Sequence, residues 1–238
     1  MFTDRRDAGR RLAPCLVDLR GSAAVVVGLA RGGMPVAAEV ADALALPLDV
    51  LVVRKLGHPH DPELGVGAIA EEGVVIHDER AAAMLDVGPE SLAAVEDAER
   101  AELARRVARY RGGRAPLDLR GRTAIVVDDG LATGGTARAA LEAVRRRGAA
   151  DVVLAVPVGP SRVVADLRAV ADRVECLEDL TGLGGVGSAY ADFRQTDDAE
   201  VLALLARRPT PGPAARATPG RPTTSTGVHR EAGSSRPA

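Results

Sequence analysis

One stretch of the chain, residues 123–147, constrains the fold more than any other, and it reads TAIVVDDGLATGGTARAALEAVRRR. Five strand-forming residues, Thr123 to Val127, come directly before Asp128 and Asp129, and a turn rich in Gly and Thr leads into a helical pattern. A short apolar run of this kind predicts a buried parallel strand, so both acids are expected at its carboxyl end. Because open α/β sheets bind ligands at that edge, the stretch predicts an α/β protein with a binding site after this strand.

The turn favours an anionic ligand. Residues 130–136 supply small side chains, two hydroxyls and free backbone N–H groups at the start of a helix, where the helix dipole attracts negative charge. Carboxylates accept hydrogen bonds from sugar hydroxyls, and paired glycines let the backbone approach a phosphate. Neither the Walker A nor the dinucleotide fingerprint fits. The implied ligand carries a phosphate at one end and vicinal hydroxyls at the other; the alternative is a Gly-rich turn with two acids that cap a helix.

The residues VVDDGLATGGT, Val126 to Thr136, resemble the phosphoribosyl diphosphate (PRPP) loop of type I phosphoribosyltransferases, and are most similar to its adenine-specific branch. The resemblance implies a mainly parallel, doubly wound sheet with a small hood and a flexible lid loop. It also implies that the two acids face the ribose hydroxyls, that Asp129 takes part in catalysis, and that residues 133–136 wrap the 5′-phosphate. The PRPP-binding residues implied in this loop are Asp128, Asp129, Gly130, Ala132, Thr133, Gly134, Gly135 and Thr136.

A second loop, GLARGG, follows an apolar strand at residues 23–29. It resembles the diphosphate loop of the same family, which implies PRPP contacts from Arg31, Gly32 and Gly33. In that family the turn often contains a non-proline cis peptide, and the corresponding bond is Ala30-Arg31. Taken alone, the loop could equally be an ordinary strand-to-helix turn that uses glycine for its geometry.

Lys55 is the only lysine among 31 basic residues. In a chain that otherwise uses Arg, it indicates a site that needs a compact ammonium group, although one residue does not exclude chance. Lys55 directly precedes a stretch, residues 56–73, whose length and Gly, Pro and His content predict a long loop. The resemblance implies that this loop is a lid and that Lys55 is catalytic, neutralising the departing diphosphate.

His58 and His60 lie two residues apart in the same stretch. A metal site would need a third ligand, for which Asp61 and Glu63 are the local candidates. Contact with diphosphate, acid/base chemistry and an ordinary solvated loop are the alternatives. Within residues 67–76 the pattern predicts two short strands joined by a turn at 71–73, which would flank the lid.

The remaining elements alternate between strands and helices, as a doubly wound sheet requires. The predicted helices are Asp4 to Leu19, a helix through Pro35 to Leu44, a long helix from Pro89, Ser161 to about Val170, and Asp197 to Ala206; the further strands are residues 49–53, 152–156 and 173–177.

Two regions near the end of the chain differ from this pattern. Residues 178–195 are expected to form the hood, where Leu183, Val186 and Tyr190 are candidate contacts for a base; the alternative is that the aromatic residues anchor the last helix. Residues 208–238 are expected to form a disordered tail rich in Pro, Arg and Ala. The predicted organisation is one phosphoribosyltransferase-like domain, residues 1–207, followed by this tail.

Charge and cysteine content restrict the partners. Five Arg and one Glu fall in residues 208–238, so residues 1–207 hold 26 basic and 32 acidic residues, a net charge of −6. A body this acidic is not expected to bind nucleic acid. Cys15 and Cys176 match no metal-binding spacing. No apolar run of membrane-spanning length and no signal-peptide core occurs, so the expected location is the cytoplasm, with no membrane partner.

These observations predict transfer of ribose 5-phosphate from PRPP to a small acceptor, expected to be a nucleobase, with release of diphosphate. The resemblance implies Mg²⁺, carried by PRPP and placed near Asp128 and Asp129, and it allows a homodimer. Ala132 stands where hypoxanthine-guanine enzymes have a base-contacting Asp, which weakens the case for a 6-oxopurine. The alternative is a regulator on the same fold that senses PRPP or nucleotides without transferring anything.

Overall fold

A computed structural model describes residues 1–180 and 184–207. Within these residues one seven-stranded sheet, in the order β4-β3-β2-β1-β5-β6-β7, is flanked by helices. The strands are β1 (Val25–Ala30), β2 (Leu48–His58), β3 (Asp61–Ala70), β4 (Val74–His77), β5 (Thr123–Val127), β6 (Asp151–Gly159) and β7 (Arg173–Asp179). The α-helices are α1 (Arg5–Leu12), α2 (Gly33–Leu44), α3 (Glu79–Met84), α4 (Pro89–Arg111), α5 (Gly135–Arg146), α6 (Ser161–Leu167) and α7 (Asp198–Ala206).

The sheet is mainly parallel, which confirms the predicted α/β class. β1 lies at its centre and pairs in parallel with β2 on one side and β5 on the other, while β6 and β7 extend the parallel part. β3 and β4 add an antiparallel edge next to β2. Because β1 and β5 are adjacent and parallel, the loops that follow them meet at one edge of the sheet.

The central strands β1, β5 and β6 are buried on both faces. Along β1, Val25 and Val27 pack with α5 and α6 on one face, and Val26 packs with α1 and α2 on the other. Successive side chains of a strand point to opposite faces, so a strand covered on both sides reads as a continuous apolar run. This is why these strands could be recognised from the sequence.

Several predicted boundaries are wrong, and two of them lie at a proline. The N-terminal α-helix ends at Leu12 and continues to Leu19 as a 3₁₀ helix that has Pro14 in its first turn. Since proline donates no N–H, it cannot continue the α-helical ladder there. β6, expected to end at Pro157, runs through it to Gly159.

The stretch predicted as a long loop is a β-hairpin. β2 extends to His58, β3 begins at Asp61, and the two pair in antiparallel with bulges between Leu56 and His58. We refer to β2 beyond Arg54 together with β3 as the lid hairpin. The predicted turn at residues 71–73 is present, and the short strand that follows it is β4.

Parts of the chain bearing on other expectations lie outside the described residues, namely Leu183 of the hood and the tail at 208–238. Within the described part, no helix combines the length and apolar character that a membrane span requires.

A buried ionic network ties β2 and the turn after β3 to the ends of two helices. Asp49 contacts Arg147 at 2.7 Å and Arg111 at 3.2 Å, and Arg111 contacts Glu71 at 2.7 Å. All four side chains are at most 10% exposed. Asp49 also accepts the backbone N–H of Leu117, so its carboxylate joins β2, α4, α5 and the loop before β5.

Asp49→Ala is expected to lower the free energy of unfolding by about 3–5 kcal/mol, because it leaves the buried Arg147 guanidinium without its counter-charge and removes one of the two carboxylates that pair with Arg111. Chemical denaturation followed by circular dichroism would measure this. The matched control is Asp118→Ala, which removes an exposed Asp paired with Arg120 and should change stability little. Equal effects of the two substitutions would contradict a stabilising role for the network.

Candidate functional site

The candidate site lies where β1 and β5 end side by side. Gly28 of β1 is in register with Val127 of β5, so the residues that follow each strand are brought together. The peptide bond between Ala30 and Arg31 is cis, as the resemblance implied. α2 begins at Gly33 directly after this loop, and its first N–H groups therefore lie at the same edge.

We refer to residues 28–33 as the diphosphate loop, after the loop they resemble, and to Asp128 and Asp129 as the acid pair. Two glycines allow the diphosphate loop to contact the acid pair. A Cβ on Gly33 would come within 2.6 Å of the Val127 carbonyl oxygen and 2.8 Å of the Asp128 Cα, and a Cβ on Gly32 would overlap the Asp129 carboxylate. The resemblance implied that these two glycines contact PRPP. The structure adds a second reason, the approach of one loop to the other.

Gly33→Ala is expected to push the diphosphate loop away from the acid pair, because its Cβ would meet backbone atoms that cannot rotate aside. We expect PRPP affinity to fall at least tenfold, since displacing the loop costs roughly 1–3 kcal/mol. Titration calorimetry would measure the PRPP affinity. Gly88→Ala, at a glycine with open space around it, is the control and should bind normally; unchanged binding by Gly33→Ala would contradict the packing argument.

The two acids have different surroundings. The Asp128 carboxylate accepts the backbone N–H of Asp129 at 2.9 Å, and burial, together with the charge of Asp129, raises its pKa well above the ordinary value. The Asp129 Oδ2 accepts a hydrogen bond from Nε of Arg5 at 2.7 Å. Burial raises the pKa of Asp129 too, but the Arg5 guanidinium opposes that rise. Asp129 is therefore the acid of the pair that has a direct cationic partner, although burial still keeps its pKa raised.

Arg5 is a site residue that the sequence analysis missed. Besides its bond to Asp129, its Nη1 donates to the backbone oxygen of Arg194 at 2.7 Å, and its Cζ lies 3.9 Å from the ring centroid of Phe193. The sequence placed it only within the predicted first helix, Asp4 to Leu19. Its local pattern carried no other signal, because its partners lie far along the chain.

The structure places Tyr190, a candidate contact for a base, in a buried aromatic cluster. Its side chain is buried and packs between Phe2 and Phe193, at ring-centroid distances of 5.4 and 5.0 Å. Its hydroxyl donates to the backbone oxygen of Asp129 at 2.6 Å. The aromatic residues thus hold the N-terminus and the acid pair together, whereas the alternative to the hood had assigned them to the last helix.

Residues 130–136, which we call the phosphate loop, follow the acid pair and lead into α5. Gly134 has φ +82°, a left-handed conformation that suits glycine, and α5 starts at the next residue. A cleft of about 630 Å³ opens beside this loop. Its lining includes predicted residues of the phosphate loop, the lid and the hood: Gly130, Ala132, Thr133, Gly135, Thr136, Lys55 and Val186.

Lys55 faces this cleft from the lid hairpin. Its side chain is 40% exposed, and its Nζ donates to the backbone oxygen of Glu63 across the hairpin. The only lysine of the chain thus lies in the same cleft as the phosphate loop. His58 and His60 lie at the hairpin turn, with ring centroids 5.7 Å apart. Among the described residues, no three His, Cys, Asp or Glu side chains are grouped as a metal site would require.

A second cleft, of about 440 Å³, has Arg31, Gly32 and Asp129 in its lining. Nη1 of Arg31 is 3.7 Å from Asp198 of α7, which also accepts a hydrogen bond from the Tyr110 hydroxyl at 2.6 Å. Predicted residues thus line both clefts, and the chain passes from one to the other where Asp129, in the second cleft, is followed by Gly130, in the first. This geometry defines an α/β protein with two loops suited to anions at the carboxyl edge of its sheet.

Comparison with known proteins gives the family. The phosphoribosyl transferase domain model matches residues 4–190. Two relatives from Mycobacterium tuberculosis, "Putative phosphoribosyl transferase Rv0571c" of strain H37Rv and "Putative phosphoribosyl transferase MT0597" of strain CDC 1551, are each 50% identical over 207 residues, which cover 87% of this chain. The aligned part is 47% of each relative, so the chain spans about half the length of the curated relatives it matches.

A solved structure gives the same result. The crystal structure of TT1426 from Thermus thermophilus is 40% identical in sequence and superposes with a TM-score of 0.71, covering 87% of this chain and 98% of that chain. This chain belongs to the phosphoribosyl transferase domain family. The family predicted from the two loops is thereby confirmed.

Proposed function

We propose that this chain transfers the ribose 5-phosphate group of PRPP to a nitrogen of a nucleobase and releases diphosphate. The observation that carries the proposal is that adjacent residues border two clefts: Gly130 lines the cleft beside the phosphate loop, and Asp129 lines the cleft beside the diphosphate loop. PRPP has phosphate groups at both ends of its sugar, and this arrangement suits such a ligand. We further propose that residues 1–207 form one domain and that the tail is not needed for transfer.

The binding roles follow from the residues that line each cleft. Thr133 to Thr136 would hold the 5′-phosphate with hydroxyls and with the N-terminal N–H groups of α5. Asp128 and Asp129 would accept hydrogen bonds from the ribose hydroxyls. Arg31 and the N–H groups at the start of α2 would bind the diphosphate. The acceptor would enter between Val186 of the hood and the phosphate loop.

Cleavage of the bond to diphosphate leaves positive charge on the sugar and negative charge on the leaving group. Lys55 lines the cleft of the phosphate loop in this structure, so we propose that movement of the lid hairpin brings its ammonium to where that negative charge develops. Asp129 would face the sugar. Closure of the lid hairpin would keep out water, which otherwise hydrolyses PRPP. The bulges at Leu56 to His58 are where the hairpin could bend.

Mg²⁺ fits the two carboxylates of the acid pair. This ion is usually bound through one or two carboxylates together with substrate phosphates and water, and it needs no cage of protein ligands. Asp128 and Asp129 would hold it together with PRPP. When bound, the ion would neutralise charge on the departing diphosphate.

Titration calorimetry with PRPP and Mg²⁺, followed by an assay of diphosphate release over a panel of nucleobases, tests the proposal. We expect PRPP to bind and one base or a few related bases to trigger release. Binding without release from any base would favour a regulator that senses PRPP, and absence of PRPP binding would reject both functions. A variant carrying Asp128→Asn and Asp129→Asn is the inactive control.

A further inference from the structure

The cleft beside the diphosphate loop contains an arginine from a distant part of the chain. Arg5 of α1 lines it together with Arg31, Gly32, Asp129, Gln195 and Thr196. The cleft thus combines two guanidinium groups with an amide, a hydroxyl and one carboxylate. A site with two guanidinium groups suits a polyanion, because each planar fork can bind two phosphate oxygens at once.

Arg5 is held in place on three sides. Asp129, the backbone oxygen of Arg194 and the ring of Phe193 contact it, and its side chain is 10% exposed. A side chain fixed in this way loses little conformational freedom when a ligand arrives. The same Asp129 oxygen that accepts from Arg5 also lies against Gly32, since a Cβ on Gly32 would overlap it, so the Asp129 carboxylate links Arg5 to the diphosphate loop.

The charge on Asp129 creates a problem that Arg5 can solve. A diphosphate group bound to Arg31 and Gly32 would lie beside Asp129, and like charges at this distance in a partly buried site repel. Arg31 is also near a carboxylate, Asp198. Both arginines are therefore paired with acids in the free protein, and binding of an anion becomes an exchange of one negative partner for another.

We propose that Arg5 binds the diphosphate group of PRPP by transferring part of its contact with Asp129 to phosphate oxygens, so that α1 forms one wall of the diphosphate site. The inference rests on the proposed function and names a binding residue that neither of the two loops contains.

Calorimetric titration with inorganic diphosphate in Mg²⁺-free buffer, compared with ribose 5-phosphate, tests the inference. Arg5→Met is expected to weaken diphosphate binding by about 10- to 100-fold, the range for hydrogen bonds to charged groups, and to change ribose 5-phosphate affinity less than about threefold. Arg10→Met is the matched control, since Arg10 is an exposed arginine of the same helix that pairs with Glu39. Unchanged diphosphate affinity in Arg5→Met, or an equal loss for both ligands, would overturn the inference.

A double-mutant cycle tests the exchange itself. Asp129→Asn removes the competing charge, and we expect it to raise diphosphate affinity about threefold or more when Arg5 is present. The gain should disappear when Arg5→Met is added. That double variant carries neither buried charge, so it remains informative if Arg5→Met alone folds poorly. An equal gain with and without Arg5 would count against the exchange.

Failure of this inference is separable from failure of the proposed function. If Arg5→Met binds diphosphate normally while the wild-type chain releases diphosphate from PRPP, only the role of Arg5 is rejected. If the wild-type chain binds diphosphate through Arg5 but releases none from PRPP with any base, the inference stands and the transfer reaction is rejected.

Discussion

Replacing Asp128 and Asp129 together by Asn is expected to weaken PRPP binding by about 100-fold or more. Each carboxylate would lose a charge-assisted hydrogen bond to a ribose hydroxyl, worth roughly 1.5–3 kcal/mol. Turnover should become undetectable, because the sugar would no longer be oriented against the leaving group. Titration calorimetry with PRPP and Mg²⁺ would measure the affinity.

The fold should survive this double substitution. The amide oxygen of Asn can still accept the Arg5 Nε hydrogen bond that Asp129 accepts at 2.7 Å. Burial also penalises the charged form of Asp128, so removing its charge does not add a desolvation cost. Asp151→Asn, at the exposed start of β6 on the opposite edge of the sheet, is the control. PRPP affinity equal to wild type in the double variant would remove the ribose assignment.

Lys55→Ala is expected to lower kcat by about 100- to 1,000-fold while PRPP affinity changes by less than about tenfold. A cation that meets charge mainly as the diphosphate departs stabilises the transition state more than the ground state. Lys55→Arg should recover only part of the rate, because a planar fork does not place charge as a compact ammonium does. Initial rates of diphosphate release, with PRPP affinity measured separately, would give the two quantities.

Arg54 is a suitable control for Lys55. It is the preceding residue of β2, and its side chain pairs with Glu99 of α4 at 2.6 Å, away from the cleft that Lys55 lines. Arg54→Ala should therefore leave kcat close to wild type. An equal loss of kcat in the two variants would indicate that the lid hairpin is disturbed as a whole, and a normal kcat in Lys55→Ala would reject the leaving-group role.

Boundary errors in the sequence analysis have local physical causes. The lid hairpin was predicted as a loop because Gly57, Pro59 and Gly65 interrupt the alternation by which a strand is recognised. Cross-strand pairing of Gly57 with Gly65 and of His58 with Asp61 nevertheless extends β2 and β3 into this region. Pairing of this kind depends on a neighbouring strand, and single-sequence propensity does not report it.

The sequence by itself determined the two loops, the strands that precede them and the family to which they point. Each of these signals is local: an apolar run, an acid pair, glycines and a helix start follow one another within residues 123–147. Tertiary structure alone decided the counter-ion of Asp129, because Arg5 reaches it across 124 positions of the chain. It also decided the fate of the aromatic residues, since Tyr190 meets Phe2 only when the two ends of the domain close on each other. Local patterns fix which backbone can form, whereas contacts between distant segments depend on how all the layers pack, and no single stretch encodes them.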